Sequence, residues 1–394
     1  MAIRQPIVVD LRSDVVAPPT EAMWEAMRRA PLGWAYVGED PSVNQLEALA
    51  ADLLGKEAAL FVPSCSLANL LALLTLGERG TQAIVEATAH VVTSEEWGIV
   101  SVAALVPRLL AGNRGVLDPA EVTAAITSAS FGRPPRTSVV CLENTHNNAG
   151  GRVLTADQTA AVAEVARRHG ASVHLDGARL FNAAIALGVP ARSLAATADT
   201  IAISLNKGLG APDGALLVGT RGAIAAARWH AKRLGAGSLH KAGLMAAAGL
   251  VALTTMVDRL AEDHHRARRL AELLTTIPGL RVDPAAVETN VVPVQLVDPA
   301  GTTIASSERD PARFSQGLAS PDDPAASAVW PALTAPELVR RLAEHGVLAL
   351  ARSDTLIRLI THRLIGDEEV ERAAAVFRRI LATSQQPSAE ATLI

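Results

Sequence analysis

The sequence predicts an α/β protein: a large domain with a mostly parallel sheet covered by helices, followed by a smaller α+β domain. Three observations predict it. From about residue 58 to 218, apolar runs of strand length alternate with helix-length periodic stretches, the pattern of repeated strand-helix-strand units. Past a long Ala/Leu-rich helical stretch at about 241–273, the pattern changes to short strands between helices. The length of 394 residues also suits a large domain plus a smaller one better than a single small core.

The elements follow in order. Residues 7–11 read as an extended arm, and Pro18-Pro19-Thr20 is a helix start signal ahead of an amphipathic stretch ending at Arg29. Residues 43–54 repeat that pattern. Strands are expected at 58–62, 82–85, 139–142, 172–175, 200–204 and 214–218, with helices at 67–76 and 157–169. In the second domain, strands at 280–282, 291–297 and 356–361 alternate with helices at 335–345 and 367–382. The expected organisation is an arm at 1–17, a large domain at 18–255 and a small domain at 256–394. Residues 299–332, rich in Pro, Ser, Asp and Ala, read as a surface loop or insertion, and the last ten residues as a frayed tail.

Composition narrows the function. Apolar residues make up 49% of the chain and charged residues 19%, enough to build a sizeable core, while only 3% are aromatic, so Ala, Leu and Val must fill it. A net charge of -4 gives no footprint for nucleic acid or an anionic membrane. Small-molecule chemistry is the better expectation. Cys65 and Cys141 are the two cysteines, too few for a disulfide framework or a zinc-ligand cluster. That fits a reducing cytoplasm, and no metal is expected. The first residues lack a long apolar segment and no run of eighteen apolar residues occurs, so neither secretion nor membrane crossing is expected.

The most informative segment is Ser204-Leu205-Asn206-Lys207-Gly208-Leu209-Gly210-Ala211-Pro212, where a lysine follows an apolar strand and precedes a glycine-rich turn. An amine desolvated in a cleft is more readily neutral and can form a Schiff base with a carbonyl; a surface lysine on a loop is the alternative. One strand-helix-strand unit upstream, Val173-His174-Leu175-Asp176-Gly177-Ala178-Arg179 ends a strand in a carboxylate, and such strand ends line the ligand crevice of open α/β sheets. Asp176 there can face the pyridine nitrogen of pyridoxal phosphate (PLP), keeping it protonated so that the ring acts as an electron sink. It serves equally well as a helix cap. Arg179 can grip an amino-acid carboxylate as a bidentate pair. At Pro63-Ser64-Cys65-Ser66-Leu67-Ala68-Asn69 a strand gives way to a helix through small polar residues, which suits a phosphate or a plain cap. His90 follows an apolar strand, where an imidazole can stack on a planar cofactor or simply be structural.

With these words in one order, the chain resembles the threonine aldolase and β-eliminating lyase family of fold-type I PLP enzymes, whose large domain is aspartate-aminotransferase-like, over essentially its whole length. Further matching words are Asp10-Leu11-Arg12-Ser13-Asp14, Gly38-Glu39-Asp40-Pro41, Gly55-Lys56-Glu57-Ala58-Ala59, Leu142-Glu143-Asn144-Thr145-His146-Asn147 and Arg358-Leu359-Ile360-Thr361-His362. The resemblance implies that Lys207 holds PLP, that Asp176 partners the pyridine nitrogen and that His90 stacks on the ring. Ser13, Arg179 and Arg358 would hold the substrate carboxylate, and Ser64, Cys65 and Ser66 the phosphate turn. Where the family has a Tyr before its Gly-(Glu/Asp)-Asp-Pro word, Val37 stands here, with Tyr36 one place earlier. Where it has a phosphate-reaching Arg, the chain has His240 and Lys241. A family His near the substrate hydroxyl aligns roughly with Arg133.

The expected activity is cleavage of a β-hydroxy-α-amino acid to glycine and an aldehyde, with His90 or a water it holds as base. Another PLP reaction on an amino acid, whether β-elimination, racemisation, transaldol exchange or transamination, is the alternative. A non-catalytic PLP-binding protein is a further one. The resemblance also implies a homodimer, or a homotetramer made of two.

Overall fold

The computed structural model describes residues 8–127, 135–297 and 333–384. Its strands are β1 (Val9–Asp10), β2 (Ala58–Val62), β3 (Gln82–Glu86), β4 (Val106–Leu110), β5 (Thr137–Glu143), β6 (Ser172–Asp176), β7 (Thr200–Ser204), β8 (Ala215–Gly219), β9 (Leu280–Arg281), β10 (Val291–Leu296), β11 (Val347–Leu348), β12 (Leu350–Ala351) and β13 (Leu356–Ile360). They fall into two compact units. One spans Ala17–Ala261 and the other combines Met1–Val16 with Glu262–Ile394.

The larger unit carries a seven-stranded sheet in the order β2-β8-β7-β6-β5-β3-β4. Every neighbouring pair is parallel except those made by β8, which runs antiparallel to both β2 and β7. This is the mostly parallel α/β sheet that the alternating pattern predicts. Strands β3, β5, β7 and β8 are buried at every position, as expected where helices cover both faces.

Alternate residues of each strand serve opposite faces. Ile201 and Ile203 join Val140, Leu142, Val173 and Leu175 in the core on one face. Ala202, between them, packs on the other face with Leu60, Val62 and Leu217 against Ala68, Leu71 and Ala72. The last three belong to the helix Cys65–Leu76. Small side chains on both sides let that helix lie close to the sheet.

Between Lys207 and β8 the chain reverses at Gly214, whose φ is +107°. A Cβ there would lie 2.6 Å from Phe61 Cε2, so glycine answers both the backbone conformation and the space.

Strand β4 and the helices Pro119–Thr127 and Arg221–Arg233 are not anticipated by the pattern. β4 is an edge strand with a half-exposed, non-alternating profile and a Pro at 107, which removes the period-two signal. The expected helical stretch at 241–273 is two helices, Gly243–Thr255 and Leu260–Thr275.

In the smaller unit, β12-β13-β10-β9 form a four-stranded antiparallel sheet. Val292, Val294, Ile357 and Leu359 pack there with Leu270, Leu274 and Phe377 from helices Leu260–Thr275 and Asp367–Ser384. The N-terminal segment belongs to this unit. The Val9 N–H donates to the Gly346 carbonyl and that of Leu11 to the Leu348 carbonyl, both at 2.8 Å, pairing β1 parallel to β11. The insertion at 299–332 and the last ten residues lie outside the described residues. Among the described residues, no single helix is long and apolar enough to cross a membrane.

Candidate functional site

Parallel strands present their C-terminal ends along one edge of a sheet, where α/β proteins place ligands. In the larger unit that edge collects carboxylates: Glu86 ends β3, Glu143 ends β5 and Asp176 ends β6. β7 ends at Ser204, and the half-buried Lys207 follows within three residues.

Asp176 is buried and accepts on both oxygens. The Ala178 backbone N–H donates to Oδ1 at 3.0 Å and the Asn69 amide donates to Oδ2 at 2.9 Å. It is not the helix cap that its sequence setting also allowed: the following helix, Leu180–Leu187, has Arg179 at that position. Asn69 lies on the sheet-facing side of Cys65–Leu76, and its second amide hydrogen goes to Glu95 Oε1 at 2.9 Å. Behind it, His174 Nε2 is 3.0 Å from Asn69 Oδ1, and His174 Nδ1 is 2.9 Å from Thr200 Oγ1.

Full burial pushes His174 down to about 4 from its ordinary 6.5, so it stays neutral near neutral pH. The unfolded chain therefore binds the extra proton between those two values, and stability rises with pH across that window. Roughly 3 kcal/mol attributable to His174 should be lost as pH falls from 6.5 to 4. Urea unfolding at about pH 7 and about pH 4.5 checks this, because His174→Gln should show a smaller difference between the two conditions than the parent.

His90 opens the short helix His90–Thr93. Its Nδ1 lies 3.0 Å from Glu95 Oε1, which leaves Nε2 as the nitrogen able to face a ligand. Burial alone would lower the His90 pKa, but the bond to Glu95 and the charges of Asp176 and Glu143 outweigh it and raise the value. Burial and the Asp176 charge push Glu95 up, against the hydrogen bonds from His90 and Asn69. One ligand atom each from His90, Glu95 and Asp176 lie within 4.8 Å of one another.

Glu143 spans the site. Its Oε2 accepts the His90 backbone N–H at 2.7 Å and its Oε1 that of Asn147 at 2.8 Å. Asn147 Oδ1 in turn accepts from Arg179 Nη1 at 3.3 Å, within a buried setting. Next to this, the fully buried His146 places Nε2 3.0 Å from Glu86 Oε2.

Ser64 is a plain cap, its hydroxyl accepting the Leu67 N–H at 3.2 Å. That is compatible with a phosphate turn, since the first N–H groups of the helix, at Cys65 and Ser66, have no carbonyl one turn back. Ser64 and Ser66 are exposed. The Cys65 thiol is pushed well above its ordinary value by burial and by Asp176, with Lys207 acting in the opposite sense. These electrostatics bring Cys65, Asp176 and Lys207 into one neighbourhood.

The other sequence candidates have local partners of their own. His240 is exposed and edge-on to Trp34, with ring centroids 6.2 Å apart. Tyr36 carries Lys232 Nζ over its ring at 4.1 Å, while Val37 is exposed. In the smaller unit, Ser13 Oγ accepts the Val15 N–H at 3.4 Å, and Arg358 Nη2 donates to the Arg12 carbonyl at 3.4 Å. Arg133 lies outside the described residues.

Sequence reasoning passed over Asn69, Glu95, His174 and Thr200 as site residues. Two of them carry a readable signal. Asn69 is a lone amide in the apolar run Leu67–Leu76 and His174 a lone imidazole in an apolar strand, and buried polar groups in such settings need partners.

A family model described as beta-eliminating lyase matches residues 10–296. The low-specificity L-threonine aldolase 1 of Arabidopsis thaliana is 37% identical over 383 residues, covering 96% of this chain and 98% of that protein. The low specificity L-threonine aldolase of Escherichia coli K12 is 41% identical over 269 residues, 68% of this chain and 79% of its own. Among solved structures, a Leishmania major threonine aldolase superimposes with a TM-score of 0.73 at 19% identity, over 94% of this chain and 99% of that one. A Sphingomonas wittichii serine palmitoyltransferase gives 0.68 at 14% identity, over 96% and 88%. The two structures share the fold-type I architecture with this chain, and the family match spans the residues that carry Asp176, Lys207 and His90: the chain belongs to the beta-eliminating lyase family.

Proposed function

We propose that this protein is a PLP-dependent lyase that cleaves a β-hydroxy-α-amino acid of the threonine type to glycine and an aldehyde, reversibly. The observation that carries the reading is the Asp176 carboxylate, anchored at the end of β6 beside the strand that leads to Lys207.

The residues fit PLP. A ring nitrogen bearing a proton suits a carboxylate fixed as an acceptor, a phosphate suits the first turn after Ser64, and a carbonyl suits the Lys207 amine. Lys207, Asp176, Ser64, Cys65, Ser66 and His90 would hold the cofactor, with Arg179 at its edge and His240 or Lys241 toward the phosphate charge. When bound, PLP draws electron density away from the α-carbon of an amino acid, so that a bond at that carbon can break heterolytically.

The chain supplies orientation and proton transfer. Arg179, steadied by Asn147, grips the substrate carboxylate, and for Ser13, Arg358 and Arg133 the same role rests on the family resemblance alone. His90 takes the β-hydroxyl proton at Nε2, directly or through a water, as the Cα–Cβ bond breaks and the aldehyde leaves. Glu95 at Nδ1 orients the imidazole and stabilises its charged form. The α-carbon then receives a proton, and glycine is released.

The enzyme is proposed to act in the cytoplasm as a homodimer or homotetramer. The two free cysteines support the compartment and the family resemblance supports the assembly.

Incubating the PLP-loaded protein with L-threonine, L-allo-threonine and β-phenylserine, each with its D form, is expected to yield aldehyde and glycine in equal amounts for one α-carbon configuration. Release of ammonia and a 2-oxo acid instead would reassign the site to β-elimination.

A further inference from the structure

Asn69, His174 and Thr200 form a run of hydrogen bonds whose directions follow from the atoms. Asn69 faces two carboxylate oxygens, Asp176 Oδ2 and Glu95 Oε1, both at 2.9 Å. Carboxylate oxygens accept, so this end of the amide is its NH2 group and the opposite end is the carbonyl oxygen. That oxygen lies 3.0 Å from His174 Nε2, which must therefore donate. A neutral imidazole with its proton on Nε2 has a bare Nδ1, and at 2.9 Å the Thr200 hydroxyl supplies the hydrogen. Asn69, His174, Thr200 and Asp176 lie on β6, β7 and the helix packed over them, and all four are buried.

We propose that Thr200, His174 and Asn69 are positioning residues that form a one-way hydrogen-bond chain ending on Asp176, and that this chain sets how strongly Asp176 holds a proton on the cofactor's ring nitrogen. The inference rests on the reading of Asp176 given above. With Oδ2 taken by Asn69 and Oδ1 by Ala178, the carboxylate cannot rotate, and its remaining lone pairs point in fixed directions. Fixing the outer partners of a ligating side chain tunes its basicity, as in metal sites. Burial keeps His174 neutral, against the Asp176 charge and a backbone hydrogen bond at Thr200 that favour its charged form. Other titratable groups acting on this neighbourhood include Glu95, His90, Glu143, Cys65, Cys141, His146 and Lys207. Among the described residues, the side-chain partners of the His174 ring are Thr200 and Asn69, so its tautomer reports on this run of bonds.

Two measurements test the proposal. In the PLP-loaded parent, nitrogen NMR of labelled histidine should show His174 as a single neutral tautomer protonated on Nε2 at neutral pH. A charged ring, or a tautomer protonated on Nδ1, would overturn the chain. Asn69→Leu and His174→Leu should lower kcat about 10–100-fold with KM changed less than about threefold, and should shift the pH midpoint of the bound cofactor's visible absorption band. His174→Gln, which can still donate to Asn69, should recover most of both. If the Leu variants are folded, keep the cofactor and leave band and kcat unchanged, the groups serve packing alone and the proposal fails. If either variant does not fold, Thr200→Val decides: a His174 spectrum and band midpoint like the parent's also refute it. The underlying reading fails separately, when Asp176→Asn leaves the visible band unmoved.

Discussion

Lys207→Ala should abolish the covalent capture of PLP: borohydride treatment followed by mass spectrometry of peptides should find no cofactor attached to the chain, where the parent carries it on the peptide containing Lys207. Turnover should fall by at least about 10³-fold, the scale seen when a group that bonds covalently to the reacting partner is removed. The fold should survive. Lys207 is half-buried at the start of a turn that is held by backbone bonds, Gly210 N–H to the Lys207 carbonyl at 2.8 Å and Ala211 N–H to the Leu205 carbonyl at 2.9 Å. Alanine keeps both. Parental trapping and turnover in the variant would refute the assignment.

Asp176→Asn should separate holding the cofactor from using it. The proposed phosphate turn at Ser64 and the amine of Lys207 are untouched, so PLP should stay bound. Yet kcat should fall about 10²–10³-fold, as when one preorganised electrostatic group is removed from an active site. A structural cost is expected as well. Both Asp176 oxygens accept N–H groups, and an amide offers one oxygen only. Either Ala178 or Asn69 then faces an NH2 group, at a cost of about 1–3 kcal/mol. Steady-state kinetics and a denaturant titration read the two effects separately. An unchanged rate with lowered stability would make Asp176 a turn residue only.

Much of this was legible in the sequence because it rests on local patterns. The buried parallel strands read as continuous apolar runs, and Asp176 and Lys207 stand at the ends of two of them. The edge strand β4 was silent, having neither a buried face nor an alternating one. The polar network behind Asp176 was silent for a different reason. Asn69 and Asp176 are separated by 107 residues and His174 and Asn69 by 105, so their partnership exists only once helix and sheet have packed. Asp176 also shows how an even choice between two readings is decided. Local sequence allowed a helix cap, and the backbone gives that position to Arg179 instead.

Glu143 gives the proposed site a mechanical property. A single carboxylate bridges the chain at His90 and at Asn147, and Asn147 steadies Arg179. The proposed proton-handling side at His90 and the proposed carboxylate-gripping side at Arg179 therefore share one rigid strut, only as wide as the gap between two oxygens. They cannot drift apart independently. A substitution that nudges the short helix at His90 will be felt at Arg179, and attempts to reshape the enzyme for bulkier substrates will retain alignment best where they leave this strut alone and alter the walls beyond it.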